Sequence, residues 1–151
     1  MKNTRETAFQ VIYKVLEEEE NSHVVLRQAL LQEKDAEKRD RAFVTRLVEG
    51  TLESLITLDY ILNQVSKTPV KKMKPVIRTV LRMSIYQLAY MDSVPDSAVC
   101  NEAVKLVKSV DSTIVFTLKN GKKLELSGGK KQFDGIEAAI NDYRLRAEDE
   151  E

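Results

Sequence analysis

The sequence contains very little of the side-chain chemistry on which most catalytic and metal sites depend. It has one cysteine, Cys100, and one histidine, His23, in 151 residues. A single cysteine cannot form an intrachain disulfide or supply a cysteine-rich metal site. His23 has no serine, cysteine or metal-ligand partner in a recognisable pattern, which makes a catalytic role a poor interpretation. We therefore expect no catalytic residues, no metal site and no enzyme activity.

Long apolar runs and nucleotide-cofactor motifs are also lacking. No segment approaches the roughly 20 apolar residues that span a bilayer, and the opening MKNTRETAFQ contains no apolar signal-peptide core. Residues 126–132 read LSGGKKQ, a superficial likeness to a transporter ATPase signature, but the chain has no Walker A sequence. We interpret these residues as a turn. We expect a cytoplasmic protein with no cofactor and no membrane association.

An excess of charge of one sign is missing too, because 24 basic and 24 acidic residues give a net charge of zero. The charges are unevenly distributed, however. Residues 67–82, which we name the basic segment, contain no acid and six basic side chains: Lys67, Lys71, Lys72, Lys74, Arg78 and Arg82. Acidic runs at residues 17–20 and 148–151 balance them. The neutral total therefore conceals one positive segment, which is a candidate for contact with a polyanion.

Apolar residues recur at helical spacing over the first two thirds of the chain. Thr4 or Asn3 is placed to cap the first helix, and Ser22 to cap the second. Gly50 interrupts a long apolar pattern, so we expect a kink or a junction of two helices there. Pro75 is compatible with a helix only in its first turn, and Asp96 or Ser97 is placed to cap the last helix. The predicted helices cover residues 4–19, a short stretch from residue 22, residues 43–65, 71–91 and 98–107.

The pattern changes after residue 109. Apolar residues alternate between residues 113 and 118, and Asn120-Gly121 is a strong signal for a hairpin turn. Residues 122–126 are predicted to return as a second strand, and residues 133–146 to form an amphipathic helix. We expect residues 110–151 to be a ββα appendage that is too small to be stable alone and therefore docks on a helical domain of residues 1–109.

The order of several segments resembles one helical module. The segments are Arg5 with Ala8, RDRAFVTRLVEGTLE at residues 39–53, Leu58-Asp59 with Ile61-Leu62, LRMSIYQLAYM at residues 81–91, Val94-Pro95, and NEAVKLVK at residues 101–108. In this order they resemble the domain shared by the NusB transcription antitermination factors and the N-terminal part of RsmB (Sun/Fmu) rRNA cytosine-5 methyltransferases. The methyltransferase branch is the more similar, because of RDRAF and the junction at Gly50-Thr51-Leu52.

The resemblance implies a mainly α fold, a NusB-like helical bundle, here with a C-terminal β-hairpin and helix as an appendage. It implies a non-catalytic module that binds rRNA or boxA-like leader RNA, because the methyltransferases carry their catalytic cysteines and cofactor site in a later domain. A transcription or ribosomal protein and a second copy of the chain are further expected partners. The closing helix typical of the family has no counterpart, so we expect the appendage to cover the apolar groove left open. The alternative is a protein-interaction or dimerisation module with no RNA role.

The predicted RNA-binding residues are basic and lie in three parts of the chain. Arg82 could instead brace the bundle by pairing with a carboxylate, and Arg39 and Arg41 could serve in local salt bridges. Tyr86 and Tyr90, four residues apart on one helix, are interpreted as packing residues rather than as a platform for bases. The predicted contact set is Lys2, Arg5, Arg39, Arg41, Lys71, Lys72, Lys74, Arg78 and Arg82.

Overall fold

The fold is mainly helical, as the sequence predicts. The computed structural model describes residues 3–110, 115–117 and 123–125. These residues divide between two compact units, residues 1–55 and residues 56–151. The α-helices of the described residues are α1 (Thr4–Glu17), α2 (Ser22–Gln32), α3 (Lys38–Glu53), α4 (Leu55–Val65), α5 (Pro75–Tyr90) and α6 (Asp96–Val110), and a 3₁₀ turn (Val70–Lys72) precedes α5.

Asparagine side chains cap the N-termini of the first two helices. The Asn3 side chain accepts hydrogen bonds from the backbone N–H groups of Arg5 and Glu6, at 3.0 and 3.2 Å. Asn21 caps α2 by accepting from the Val24 N–H at 3.2 Å. The prediction that Ser22 caps this helix was wrong by one residue. Asparagine and serine are about equally good caps, so composition alone does not decide between neighbours.

In the first unit α1 packs against both α2 and α3. The buried side chains of α1 form the predicted stripe around Ala8, Val11 and Ile12, and the α3 face contributes Val44, Leu47 and Val48. The helix junction predicted near Gly50-Thr51 is found three residues later, at Ser54, between α3 and α4. Gly50 itself is buried inside α3, and the Ser54 N–H donates to the Gly50 carbonyl at 3.0 Å where the helix ends.

In the second unit α5 is buried around its whole circumference between Thr79 and Leu88. Pro75 occupies the first turn, as its geometry requires, but the helix begins at Pro75 and the predicted start at residue 71 was four residues early. Three buried uncharged polar side chains of α5 donate hydrogen bonds within the helix: Thr79 to the Pro75 carbonyl, Ser84 to the Val80 carbonyl and Gln87 to the Met83 carbonyl, at 2.7, 2.7 and 3.1 Å. One face of α6 packs on α5 through buried residues that include Val99, Ala103 and Val107. This helix begins at Asp96, so Asp96 and Ser97 lie in its first turn rather than before it.

Two short strands follow the helices. Val115–Thr117 and Lys123–Glu125 pair antiparallel, with Phe116 opposite Leu124. The predicted turn at residues 120–121 and the predicted helix at residues 133–146 lie outside the described residues. The appendage as a whole, its docking and the domain boundary at residue 109 therefore stay predictions.

Candidate nucleic-acid interface

The first part of the basic segment presents its lysines to solvent. Lys67 lies in the loop after α4, Lys71 and Lys72 lie in the 3₁₀ turn, and Lys74 directly precedes α5. All four are exposed. Two apolar side chains of the same stretch, Val70 and Met73, are only 3% and 6% exposed. Because these two anchor the turn, the lysines between and beside them are held at the surface.

Three lysines of this stretch carry positive charge that no nearby carboxylate of the described residues pairs with. No acid occurs in residues 67–82. Within residues 3–110, Lys67, Lys71 and Lys72 form no ion pair. Ammonium groups that are close together and unpaired lower the free energy of a nearby polyanion and release its counterions. The stretch therefore has the electrostatics of a phosphate-contacting surface.

The two arginines of the basic segment differ from the lysines. Arg78 is half-buried on α5, and Arg82 is 8% exposed. Arg82 makes a bidentate ion pair with Asp59 of α4: Nε lies 2.7 Å from Oδ1, and Nη2 lies 2.9 Å from Oδ2. This geometry favours the alternative in which Arg82 stabilises the helical bundle, because its charge is paired with a carboxylate and its side chain is buried.

Two arginines of the first unit, Arg41 and Arg5, contact neighbouring helices or side chains. Arg41 Nη1 donates to the carbonyls of Leu30 and Glu33, at 2.8 and 3.0 Å, and so ties the start of α3 to the end of α2. The Arg5 guanidinium lies 5.1 Å from the centroid of the Phe43 ring.

Arg39 is the most accessible arginine of the predicted contact set that lies in this unit. Its side chain is 85% exposed, and its Nη2 lies 3.7 Å from Glu37 Oε2. A long ion pair between two exposed side chains contributes little to stability and exchanges readily, so Arg39 stays available to a phosphate. Lys2 lies outside the described residues.

Aromatic and aliphatic residues give a second, separate surface feature. Tyr86 is 9% exposed, and its ring centroid lies 5.3 Å from that of Tyr90, which agrees with a packing role. Ile56 and Tyr60, one turn apart on α4, are 88% and 53% exposed. Ile56 belongs to the apolar pattern of residues 43–65 that predicts a buried helix, yet it lies at the surface. The buried stripe of α4 runs through Leu58, Ile61, Leu62 and Val65, and Ile56 falls off its spacing.

Among the described residues, no group of three or more His, Cys, Asp or Glu side chains is placed to hold a metal ion. No helix of these residues is both long enough and apolar enough to cross a membrane.

The described residues thus define a mainly helical protein with a cationic surface at the start of its most buried helix. The chain belongs to the NusB family, whose family model matches residues 2–121. The match runs past residue 109, where the resemblance read from the sequence ended, and includes the first strand.

Relatives of two kinds share this similarity. The chain is 31% identical over 143 residues to the probable ribosomal RNA small subunit methyltransferase B of Bacillus subtilis. The matched region covers 93% of this chain and 32% of that protein. The chain therefore spans about a third of the length of this methyltransferase. It is 33% identical over 118 residues to the transcription antitermination protein NusB of an Exiguobacterium species, with 78% of this chain and 88% of that protein covered.

Solved structures show the same fold. A crystal structure of the antitermination factors NusB and NusE in complex with dsRNA superposes with a TM-score of 0.64 at 23% identity, over 70% of this chain and 79% of that chain. At this identity the likeness shows the shared helical fold.

Proposed function

We propose that this chain is a non-catalytic RNA-binding module that contacts the phosphate backbone through the lysines of the basic segment. The observation that carries the proposal is the set of four exposed lysines, at positions 67, 71, 72 and 74, in the connection between α4 and α5, with no acid among them. In this proposal Lys71, Lys72 and Lys74 make the principal contacts with RNA, and Arg78 lies at the edge of the contact surface. Arg5, Arg39 and Lys2 are secondary candidates for RNA contact. Arg41 and Arg82 stabilise the folded chain and do not contact RNA.

The relatives support RNA as the ligand and indicate which classes of RNA to expect. One relative is named as a ribosomal RNA methyltransferase and another as an antitermination protein, and a structure of similar fold contains a NusB protein with NusE and RNA. We propose rRNA or a boxA-like leader RNA as the ligand. In the first setting the module targets a methyltransferase to its substrate, and in the second it takes part in transcription antitermination. A ribosomal or transcription protein is the expected protein partner.

The test is the affinity of the full chain for a labelled single-stranded RNA that carries a boxA-like or 16S rRNA sequence, measured by fluorescence anisotropy. The variant Lys71→Glu, Lys72→Glu, Lys74→Glu should bind about 100-fold more weakly at about 0.1 M salt, because each lost phosphate contact costs about fivefold there.

A matched control changes the net charge by the same amount elsewhere. Lys14, Lys34 and Lys108 are exposed lysines outside the basic segment. Changing these three to Glu should weaken binding far less than the change in the basic segment. Equal losses in the two variants would show only a general charge effect, and no measurable affinity at low salt would refute RNA binding.

The second candidate function is a protein-interaction or dimerisation module, and the exposed Ile56 and Tyr60 favour it. An isoleucine that is 88% exposed beside an exposed tyrosine gives apolar surface that a partner can bury. If this face pairs with a second copy of the chain, sedimentation velocity will show a concentration-dependent dimer that Ile56→Ser weakens. A wild-type chain that stays monomeric at all concentrations would count against dimerisation. The RNA-binding proposal does not depend on this result.

We also propose that residues 110–151 form the ββα appendage and cover the apolar surface of the helical domain that the family's closing helix otherwise covers. The antiparallel pairing of Val115–Thr117 with Lys123–Glu125 supports this arrangement.

A further inference from the structure

A pocket lies beside the basic segment, where the end of α4 leads into the 3₁₀ turn. Its volume is about 330 Å³, and its lining residues are Asn63, Ser66, Lys67, Pro69, Val70 and Lys71. Pockets that hold small ligands begin at about 300 Å³. The pocket is therefore of a size that suits a ligand of about one nucleotide.

The lining of the pocket combines three kinds of chemistry. Pro69 and Val70 supply apolar surface, and Val70 is itself only 3% exposed, so this surface is firmly held. Lys67 and Lys71 supply two ammonium groups, and Asn63 supplies an amide. Unpaired nucleotides are recognised by such a set, because the base needs an apolar surface and hydrogen bonds at its edge while the phosphate needs cations.

The pocket is already ordered by hydrogen bonds of its own loop. Asn63 Oδ1 accepts from the Val70 N–H at 3.0 Å, which orients the amide and leaves Nδ2 as a donor. The Ser66 hydroxyl donates to the Thr68 carbonyl at 2.8 Å and accepts from the Thr68 N–H at 3.0 Å. A site formed before the ligand arrives loses little conformational freedom on binding.

We infer that this pocket binds one unpaired nucleotide of a bound RNA strand, with Asn63 Nδ2 donating to the base and Lys67 and Lys71 contacting its phosphate. The inference rests on the proposed RNA-binding function and adds a site that recognises a base. A base inside a duplex must first leave its stack, which costs a few kcal/mol. RNA with an unpaired segment is therefore the preferred ligand class.

The test uses NMR on the ¹⁵N-labelled full chain, titrated separately with adenosine 5′-monophosphate, uridine 5′-monophosphate and inorganic phosphate. A nucleotide should shift the Val70 backbone amide and the Asn63 side-chain amide in a saturable way. Inorganic phosphate should bind more weakly and shift the Asn63 amide less, because it has no base.

Two single variants separate the pocket from its surroundings. Asn63→Asp keeps an oxygen that accepts from the Val70 N–H but replaces the donor with a negative charge, so nucleotide affinity should fall at least about tenfold. Gln64→Glu makes the same charge change at the next residue, which is exposed and does not line the pocket. Its nucleotide affinity should match the wild type. Unchanged hydrogen exchange at the Val70 amide will show that the Asn63→Asp loop is intact.

Three results would overturn the inference. The first is an absence of shifts at the pocket while the chain binds RNA, which leaves the proposed function standing. The second is equal affinity for phosphate and for both nucleotides, or equal weakening by the two variants, since either shows an anion effect without base recognition. The third is nucleotide binding by a chain that binds no RNA, which refutes the proposed function as well as the assignment to an RNA strand.

Discussion

Arg78 and Arg82 lie four residues apart on α5, yet their surroundings differ. Arg82 is covered and holds Asp59 through two hydrogen bonds, whereas Arg78 is only half-buried. The sequence suggests that both are cationic and places a carboxylate partner among the alternatives for Arg82. It does not identify Asp59, because the two residues are 23 positions apart and meet only when α4 and α5 pack. The charge of a side chain can be read from the sequence, but its accessibility depends on the packed structure.

Removal of Arg82 should affect folding rather than RNA binding. Arg82→Leu leaves Asp59 without its partner, so the free energy of unfolding should fall by about 3 kcal/mol, as for other covered ion pairs that lose one member. Urea unfolding measures this change. The folded variant should keep its RNA affinity within a factor of about two, because the lost residue contacts no phosphate.

The double variant Asp59→Leu, Arg82→Leu is the control for this prediction. It removes both charges, so its destabilisation should be clearly smaller than the sum of the two single changes. An Arg82→Leu chain that is as stable as the wild type but has lost RNA affinity would contradict the bracing role.

Helices follow closely from the sequence, and their junctions less closely. The start of α1 at Thr4 was predicted, because capping acts locally. The condition that Pro75 lie in a first turn is met, but α5 begins at Pro75 and not at residue 71. The helix junction predicted near Gly50-Thr51 lies at Ser54, because α3 continues to Glu53. A glycine in a helical pattern indicates either a break or a close approach, and only burial separates the two. The 3₁₀ turn was missed, although the spacing of Val70 and Met73 around the lysines was a signal for an anchored turn.

The role of Gly50 can be tested by giving it a side chain. Gly50→Leu should lower the free energy of unfolding by about 1–2 kcal/mol, because overpacking a buried position costs more than the helix propensity that leucine adds. Urea unfolding measures the sign directly. Glu49→Leu, at an exposed neighbour in the same helix, should change the stability by less than about 0.5 kcal/mol. If Gly50→Leu instead stabilised the chain, Gly50 would not be in a tightly packed position.

For the molecule as a whole, the net charge of zero is the least informative number in the sequence. Its 24 basic residues include Lys67, Lys71, Lys72 and Lys74, and the screening length in physiological salt is about 8 Å. A bound phosphate therefore responds mainly to charges within about that distance, and the net charge of the whole chain is a poor guide to its binding. The family could be predicted from the order of several segments, and the family match confirms it.

The most direct test of RNA binding through the basic segment is the salt dependence of RNA affinity in the wild type and in the Lys71→Glu, Lys72→Glu, Lys74→Glu variant. For single-stranded RNA, the logarithm of the binding constant should fall with the logarithm of salt concentration with a slope of about −3 for four phosphate contacts. The variant should lose three contacts, which brings its slope to within about 1 of zero. A wild-type slope near zero, or the same slope in both proteins, would contradict the proposal.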